Sequence, residues 1–259
     1  GEPKYLNTPE SAIFKKRKIL YNLHQVKGLL RNTGVAVVEG YMDVVSLSNA
    51  GFREAVATLG TALSEDHVQL LSRFTDKVNL VFDGDAAGRN AMVRAVEPFL
   101  GFDIVPRAVL LPDGKDPDDV ARTDRGLWSD LLAGAPSLWD FIFDESFSTR
   151  DSSKLEDKKS LMKELVPVIS RVRDPLFREL LAQRLSLRLG VSQEVVVREM
   201  KQCGGDGRPA APSRNTSGER RPVEEIMMRL MLFDDRAIRM AKLFGFAGEF
   251  RDNDLSALA

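Results

Sequence analysis

Acidic residues follow three short apolar runs of this sequence, at the point where each run ends. They are Glu39 after the run at 35–38, Asp83 and Asp85 after the run at 78–82, and Asp113, Asp116, Asp118 and Asp119 after the run at 104–111. Hard divalent cations, Mg²⁺ above all, prefer oxygen ligands of this kind. Two such ions roughly 3.5–4 Å apart can activate a hydroxyl and stabilise the leaving oxygen of a phosphoryl group. These residues therefore indicate metal-dependent phosphoryl chemistry, provided that the fold brings the three runs together.

The apolar runs alternate with helical patterns along the first half of the chain. Strands are predicted at 35–38, 55–59, 78–82 and 104–111, and helices at 42–50, 65–74 and 87–100, with Ser64 as the N-cap of the second helix. Strand, helix and strand at this spacing imply parallel strands joined by right-handed crossovers, which is an α/β fold. Ligands of an open parallel sheet bind beyond the carboxyl ends of its strands. We therefore expect the acidic residues to share one edge of the sheet.

A single acidic residue after a strand is a weak signal, because aspartate is common in turns and as a helix N-cap. The sequence Asp83-Gly84-Asp85 is more informative. The glycine is expected to let the backbone turn sharply, so that both carboxylates can face one point. Five or six carboxylates around one edge would repel one another unless cations lay between them. The pattern thus favours a site with more than one cation.

The composition excludes several other kinds of site. Cys203 is the only cysteine, so the chain can form neither an internal disulfide nor a cysteine-based zinc site. The two histidines, His24 and His67, fit no metal-ligand spacing. The glycine-rich loops of P-loop and dinucleotide-binding proteins are absent. No window reaches the ~18 unbroken apolar residues of a membrane-spanning helix, and a cytoplasmic location is the expectation.

The charge is unevenly distributed, although the net charge is only −1. Residues 1–31 hold seven basic side chains against two acidic ones. A basic segment can bind phosphate groups even when the whole chain is nearly neutral. A solvated helix face is the alternative interpretation of the same charges.

The strand pattern stops after residue 117, and apolar residues recur at helical spacing from 126 to 200. Residues 204–222 are rich in glycine, proline and small polar residues, which is typical of a linker. The predicted organisation is the end of a basic N-terminal part (1–32), a metal-binding sheet domain (33–122), a small helical subdomain (123–202), a flexible linker (203–222) and the start of a helical C-terminal segment (223–259).

Five motifs resemble those of one known family when they are taken in order. Glu39-Gly40 followed by Asp83-Gly84-Asp85 is similar to the Toprim domain, the metal-binding fold of primases, topoisomerases and some nucleases. The surrounding residues narrow the resemblance to the bacterial replicative primases of the DnaG type. The five motifs are residues 4–10 (KYLNTPE), 38–44 (VEGYMDV), 59–63 (LGTAL), 83–88 (DGDAAG) and 111–118 (LPDGKDPD).

The resemblance implies a role for each candidate site residue. Glu39, Asp83 and Asp85 would be the central metal-site residues, and Glu39 could also accept the proton of the attacking 3′-hydroxyl. The second metal position would use Asp116 and Asp118. The remaining candidates are Asp43, as a supporting carboxylate, and Lys4 and Lys16, as basic residues near the incoming nucleotide.

The resemblance also implies an activity and its partners. The family makes short RNA primers on single-stranded DNA from NTPs, with Mg²⁺ (or Mn²⁺) as the cofactor. A replicative helicase of the DnaB type would bind through the C-terminal region, of which 223–259 would be the beginning. The chain has too few cysteines and histidines for the family's zinc ribbon, so a fragment of a longer primase without zinc is expected.

Two alternatives remain open at the level of sequence. A related Toprim nuclease or topoisomerase would share the acidic residues but would not account for the motif at 4–10 or for the Asp116-Pro117-Asp118 spacing. A non-catalytic helicase adaptor would be expected to lose at least one of the acidic residues, and none is missing.

Overall fold

This computed structural model describes residues 10–11 and 14–203 of the 259-residue chain. Its five-stranded sheet has the order β1-β3-β2-β4-β5. The strands are β1 (Leu20–Tyr21), β2 (Val35–Val38), β3 (Ala55–Thr58), β4 (Val78–Phe82) and β5 (Arg107–Leu110). Strands β2 to β5 are parallel, which confirms the predicted α/β fold, whereas β1 pairs antiparallel with β3. Strand β1 is not predicted from the sequence, because two residues are too few to form a pattern.

Helices cover both faces of the sheet. They are α1 (Leu23–Val26), α2 (Leu30–Thr33), α3 (Tyr41–Asn49), α4 (Glu65–Leu71), α5 (Ala86–Arg94), α6 (Pro117–Thr123), α7 (Arg125–Gly134), α8 (Leu138–Ser148), α9 (Leu155–Ser170), α10 (Pro175–Leu189) and α11 (Gln193–Cys203), with short 3₁₀ helices at Lys16–Lys18 and Glu97–Phe99. None of these helices has both the length and the apolar character needed to cross a membrane.

Alternation along each strand divides the interior into two cores. Val35 and Val37 of β2 belong to a core that also receives apolar residues of α4, α5 and α8–α11. Ala36 and Val38 face a second core, built with α3, α6 and α7. Because the parallel strands are buried on both faces, a ligand can reach the sheet only at its edges and at the strand ends.

Two predicted boundaries were wrong next to a proline, and the helix predicted at 65–74 ends earlier, at Leu71, as α4. The helix predicted at 87–100 ends at Arg94 as α5, because Pro98 has no N–H to donate to the Arg94 carbonyl. The strand predicted from residue 104 begins only at Arg107, directly after Pro106, which cannot join a ladder of hydrogen bonds.

Helix α7 begins at Arg125, close to the predicted start of the helical region at 126, whereas α6 before it was not predicted. Both helices pack on the sheet. The elements from Lys16 to Cys203 belong to one compact unit. Trp128 of α7 is buried against Phe52 in the second core, with ring centroids 5.8 Å apart. The division into domains at 33–122 and 123–202 stays a prediction, and the predicted linker and C-terminal segment lie outside the described residues beyond Cys203.

Ion pairs join α8 to α10 along a line that we call the α8–α10 seam (Asp140, Asp144, Arg184 and Arg188). Asp140 pairs with Arg184, and an Asp144 oxygen lies 2.6 Å from an Arg188 nitrogen. Both guanidinium groups also lie over phenylalanine rings of α8, at 4.9 and 4.6 Å from the ring centroids. Hydrogen bonds from Ser137 and Arg184 hold the pKa of Asp140 below its usual value, although partial burial opposes them.

Candidate metal centre

The carboxyl ends of three neighbouring strands carry the predicted acidic residues. Strands β2, β4 and β5 are adjacent and parallel. Glu39 directly follows β2, Asp83 directly follows β4, and Asp116 stands at the start of α6, the helix after β5. The three acidic positions therefore share one edge of the sheet, as the sequence predicts.

A cavity of about 900 Å³ opens at this edge. Glu39, Asp43, Asp116 and Asp118 line it, together with residues 60–63 of the loop after β3. This loop was not predicted to take part in the site's chemistry, because it contains no charged residue. Its position was the available signal, since it also follows the carboxyl end of a parallel strand.

Two glycines allow the Asp83-Gly84-Asp85 segment to lie against its neighbours. A Cβ atom at Gly84 would lie 2.1 Å from the carbonyl oxygen of Leu111, and one at Gly88 would lie 2.1 Å from the carbonyl oxygen of Asp83. No side chain could be accommodated at these distances. The chain bends at Gly84, as expected, but the φ of this glycine is not among the positive ones, so close approach is what requires the glycine.

Hydrogen bonds at helix N-termini fix three of the acidic residues in place. Asp85 accepts a hydrogen bond from the Gly88 amide at 2.7 Å, which caps α5. Asp116 accepts one from the Asp119 amide at 2.7 Å and caps α6, and Asp43 accepts one from the Gly40 amide at 3.1 Å. Capping and metal binding are compatible, because a carboxylate has two oxygens and about four lone pairs.

Glu39 and Asp83 have no such role. Neither carboxylate accepts a hydrogen bond from another residue in the described part of the chain. Protein atoms that displace water raise the pKa of Glu39, and the charges of Asp83 and Asp85 raise it further. The same displacement of water raises the pKa of Asp83, with smaller contributions from Asp85 and Asp116. These two side chains are thus held next to like charges without a compensating partner.

Asp43 shows the largest effect among the acidic residues of the site. Burial raises the pKa of Asp43 to about 6, against the opposing effect of its hydrogen bond from Gly40. Repulsion from Asp116, Asp83 and Glu39 adds to the increase. Carboxylates from all three strand ends thus repel one another. We call this group the carboxylate rim (Glu39, Asp43, Asp83, Asp85 and Asp116).

The donor set of the carboxylate rim fits a hard divalent cation. Every donor is a carboxylate oxygen, which suits Mg²⁺ or Mn²⁺ better than zinc. A cation between these groups would reduce the repulsion that adds to burial in raising the pKa values of Glu39, Asp43 and Asp83. Within residues 10–11 and 14–203, no group of three or more His, Cys, Asp or Glu side chains is close enough to share one ion. The carboxylates therefore lie near enough to repel one another but farther apart than in a formed metal site.

The remaining predicted residues have other surroundings. Asp118 lines the cavity, and its Oδ2 lies 3.1 Å from an Arg122 nitrogen. Lys16 belongs to the basic turn, which is the 3₁₀ helix Lys16–Lys18. Lys4 lies outside the described residues.

One polar atom of the cavity wall lacks a partner. The Thr61 hydroxyl is buried and has no hydrogen-bond partner in the described structure. Nothing in the sequence distinguishes this threonine from a satisfied one, because the loss of its partner depends on tertiary packing.

Family models match three parts of the chain. A model described as "Toprim-like" matches residues 36–121, which hold β2 to β5 and the carboxylate rim. One described as "DNA primase catalytic core, N-terminal domain" matches residues 1–27. One described as "DnaB-helicase binding domain of primase" matches residues 140–194, within α8 to α11, and not the segment 223–259.

Comparison with individual proteins and solved structures also finds DNA primases. The DNA primase of Pseudomonas aeruginosa is 38% identical over 199 residues, which cover 74% of this chain and 30% of that protein. The crystal structure of a DNA primase domain from P. aeruginosa superposes with a TM-score of 0.72 at 36% identity and covers 78% of this chain and 64% of that one. A DnaG primase catalytic domain bound to single-stranded DNA gives a TM-score of 0.66 at 38% identity, with 72% and 62% covered. The chain thus spans about a third of the length of the curated relatives it matches, 30% to 39% in the cases compared.

Proposed function

Because the chain belongs to the family of bacterial DnaG-type DNA primases, we propose that it carries the Toprim part of a primase catalytic core. The reaction is template-directed synthesis of short RNA primers from NTPs on single-stranded DNA. The observation that carries the proposal is the carboxylate rim on three neighbouring strand ends, in which burial and repulsion from nearby carboxylates raise the pKa values of Glu39, Asp43 and Asp83. Such a rim suits two-metal nucleotidyl transfer.

The acidic residues have three different roles in the proposed site. Glu39, Asp83 and Asp85 hold one divalent cation, with Mg²⁺ as the first choice and Mn²⁺ as a substitute. Asp116 and Asp118 hold the second, and Asp43 supports both from the first turn of α3. When bound, divalent cations activate the attacking 3′-hydroxyl and stabilise the pyrophosphate that leaves.

Glu39 also accepts the proton of the primer's 3′-hydroxyl while that oxygen attacks the α-phosphorus of the incoming NTP. A raised carboxyl pKa brings the group closer to the pH at which it works, and this favours general-base catalysis. The absence of any hydrogen bond to Glu39 from other described residues leaves its oxygens available for the hydroxyl.

Lys4 and Lys16 bind the phosphates of the nucleotide in this proposal. Support for Lys16 comes from the loop at 60–63, which lines the cavity and leads into the helix that holds the basic turn. Single-stranded DNA is proposed as the template because a relative of known structure is a DnaG catalytic domain bound to it.

A replicative helicase is the proposed protein partner. The model described as a DnaB-helicase binding domain matches 140–194, so α8 to α11 are a candidate contact region in addition to 223–259. Work at a bacterial replication fork implies a cytoplasmic location. The alternatives of a nuclease, a topoisomerase or a helicase adaptor are not favoured, because the models on both sides of the Toprim region describe primase domains.

Calorimetric titration with Mn²⁺ tests the proposal without a template. We expect the parent chain to bind Mn²⁺, and the Asp83→Asn and Glu39→Gln variants to bind at least about 10- to 100-fold more weakly. Asp144→Asn is the matched control, since it removes a carboxylate of the α8–α10 seam that is 69% exposed, and it should bind like the parent. Thermal melts establish that each variant is folded. A folded parent that binds no Mn²⁺, even with NTP present, would contradict the proposed catalytic role and favour an adaptor.

A further inference from the structure

The N-terminus of α4 is joined to the basic turn by two side chains. Ser64 caps α4, with its Oγ accepting from the His67 amide at 3.3 Å, and the same hydroxyl donates to the Arg17 carbonyl at 2.8 Å. His67 Nδ1 lies 3.2 Å from the Ser64 amide, and His67 Nε2 lies 2.8 Å from the Lys16 carbonyl. We call this arrangement the Ser64–His67 bracket.

The hydrogen bonds determine the tautomer of His67. A backbone amide can only donate, so Nδ1 accepts from Ser64 and carries no proton. A carbonyl can only accept, so the proton is on Nε2 and is donated to Lys16. The imidazole is fully buried, and burial lowers the pKa of His67, so the ring stays neutral. Both ring nitrogens are therefore used to join the turn to the helix.

The hydrogen bonds of the bracket do not involve the charged groups of the basic turn. Both long-range bonds end on main-chain carbonyl oxygens, and neither uses a basic side chain. Three consecutive basic residues, Lys16, Arg17 and Lys18, stand in one turn that contains no acidic residue. Their mutual repulsion opposes a fixed turn, so an external attachment is needed to hold them together.

The bracket also lies next to the cavity. Leu63, the residue before Ser64, lines the same cavity as Glu39, Asp43 and Asp116. The bracket thus attaches the basic turn to a helix that begins two residues after this part of the cavity wall. A nucleoside triphosphate with its divalent cations combines both charges, because the cations suit the carboxylates and the phosphate oxygens suit the basic turn.

We propose that Ser64 and His67 are positioning residues for nucleotide binding, which hold the basic turn at the cavity so that it contacts the triphosphate of the incoming nucleotide. This inference rests on the proposed function. It gives a further role to Ser64, which was predicted only as a helix N-cap, and to His67, which fits no metal-ligand spacing.

Binding of ATP and of adenosine in the presence of Mn²⁺ tests the inference on the full chain. His67→Leu removes both ring hydrogen bonds and should weaken ATP binding about tenfold, the size of one charge-assisted contact, while adenosine binding stays unchanged. His67→Gln keeps a donor and an acceptor and should restore most of the ATP affinity. Ser64→Ala is a second, milder variant on a half-buried residue, and it should weaken ATP binding in the same direction.

Ser137→Ala is the matched control. Ser137 caps α8 by accepting from the Asp140 amide at 3.1 Å, so its removal costs a helix cap as Ser64→Ala does but leaves the basic turn attached. We expect similar losses of melting temperature and an ATP affinity equal to that of the parent. Equal ATP binding by the parent and His67→Leu would overturn this inference but not the proposed function. Weaker binding of a single-stranded oligonucleotide with unchanged ATP binding would overturn the assignment to the nucleotide. If the parent bound no ATP with Mn²⁺, the proposed function would fail as well.

Discussion

The carboxylate rim and the α8–α10 seam contain the same kind of side chain in opposite surroundings. In the seam, Asp140 and Asp144 each face an arginine. In the rim, Asp83 and Asp43 face other carboxylates. The pKa of Asp140 is accordingly lowered by its hydrogen bonds, while the pKa values of Asp83 and Asp43 are raised by burial and repulsion.

This difference separates groups that stabilise the fold from groups that are kept for a ligand. A paired aspartate contributes to stability and has little capacity left for a cation. An aspartate among like charges destabilises the metal-free chain. Burial of many apolar side chains in the two cores offsets this destabilisation. The raised pKa values are thus a physical indication of which acidic residues serve function.

The largest difference is expected when the same truncation is made in both regions. Asp140→Ala removes the partner of Arg184 and of the Ser137 hydroxyl. Because this pair is partly exposed, the loss should be about 1–2 kcal/mol of unfolding free energy. Asp83→Ala should cost nothing in the metal-free chain, since it removes repulsion. Urea denaturation of both variants, in the presence of a chelator, measures the two values. Equal destabilisation by the two changes would contradict the distinction between the regions.

A smaller difference, of opposite sign, is expected from Asp43→Asn. The folded-state pKa of about 6 lies above the unfolded value, so the charged carboxyl destabilises the fold above that pH and the penalty disappears as the pH falls toward about 4. Asparagine keeps an acceptor for the Gly40 amide but carries no charge. After allowance for partial exposure, we expect a gain of about 1 kcal/mol at about pH 8 and none at about pH 4.

Denaturation of the metal-free parent and variant across this pH range measures the effect. Asp140→Asn is the comparison, because its lowered pKa gives the opposite dependence, with a contribution that is present above the unfolded pKa and lost on acidification below it. A pH-independent difference between the parent and Asp43→Asn would show that charge repulsion is not its cause.

The sequence predicts those parts of the molecule that depend on local pattern. β2 was located correctly because it is a continuous apolar run, and β4 because Asn79 alone interrupts an otherwise apolar run. The edge position of Glu39 and Asp83 followed from the rule for parallel strands. The early end of α5 could also have been predicted, because Pro98 cannot continue a helix.

Contacts between distant segments could not be predicted in the same way. His67 and the Lys16 carbonyl are 51 residues apart in the sequence, and no periodicity connects them. The same limit applies to the caps formed by Asp85 and Asp116, whose spacing predicts capping and metal binding equally well. One carboxylate can do both, and only the tertiary structure shows which amides these side chains accept from.

The smallest expected effect concerns a neutral atom of the cavity wall. The Thr61 hydroxyl is buried without a partner, so it gives up its hydrogen bonds to water and receives nothing in return. Valine has nearly the same shape and no hydroxyl. We therefore expect Thr61→Val to raise the free energy of unfolding by about 0.5–1 kcal/mol, which urea denaturation can detect. The matched change in the α8–α10 region is Ser146→Ala, because the Ser146 hydroxyl donates to Glu164 at 2.8 Å, and this variant should be destabilised instead. Loss of stability in Thr61→Val would mean that the hydroxyl has a hydrogen-bond partner. The contrast between the cavity and the helical region would then hold only for their charged side chains.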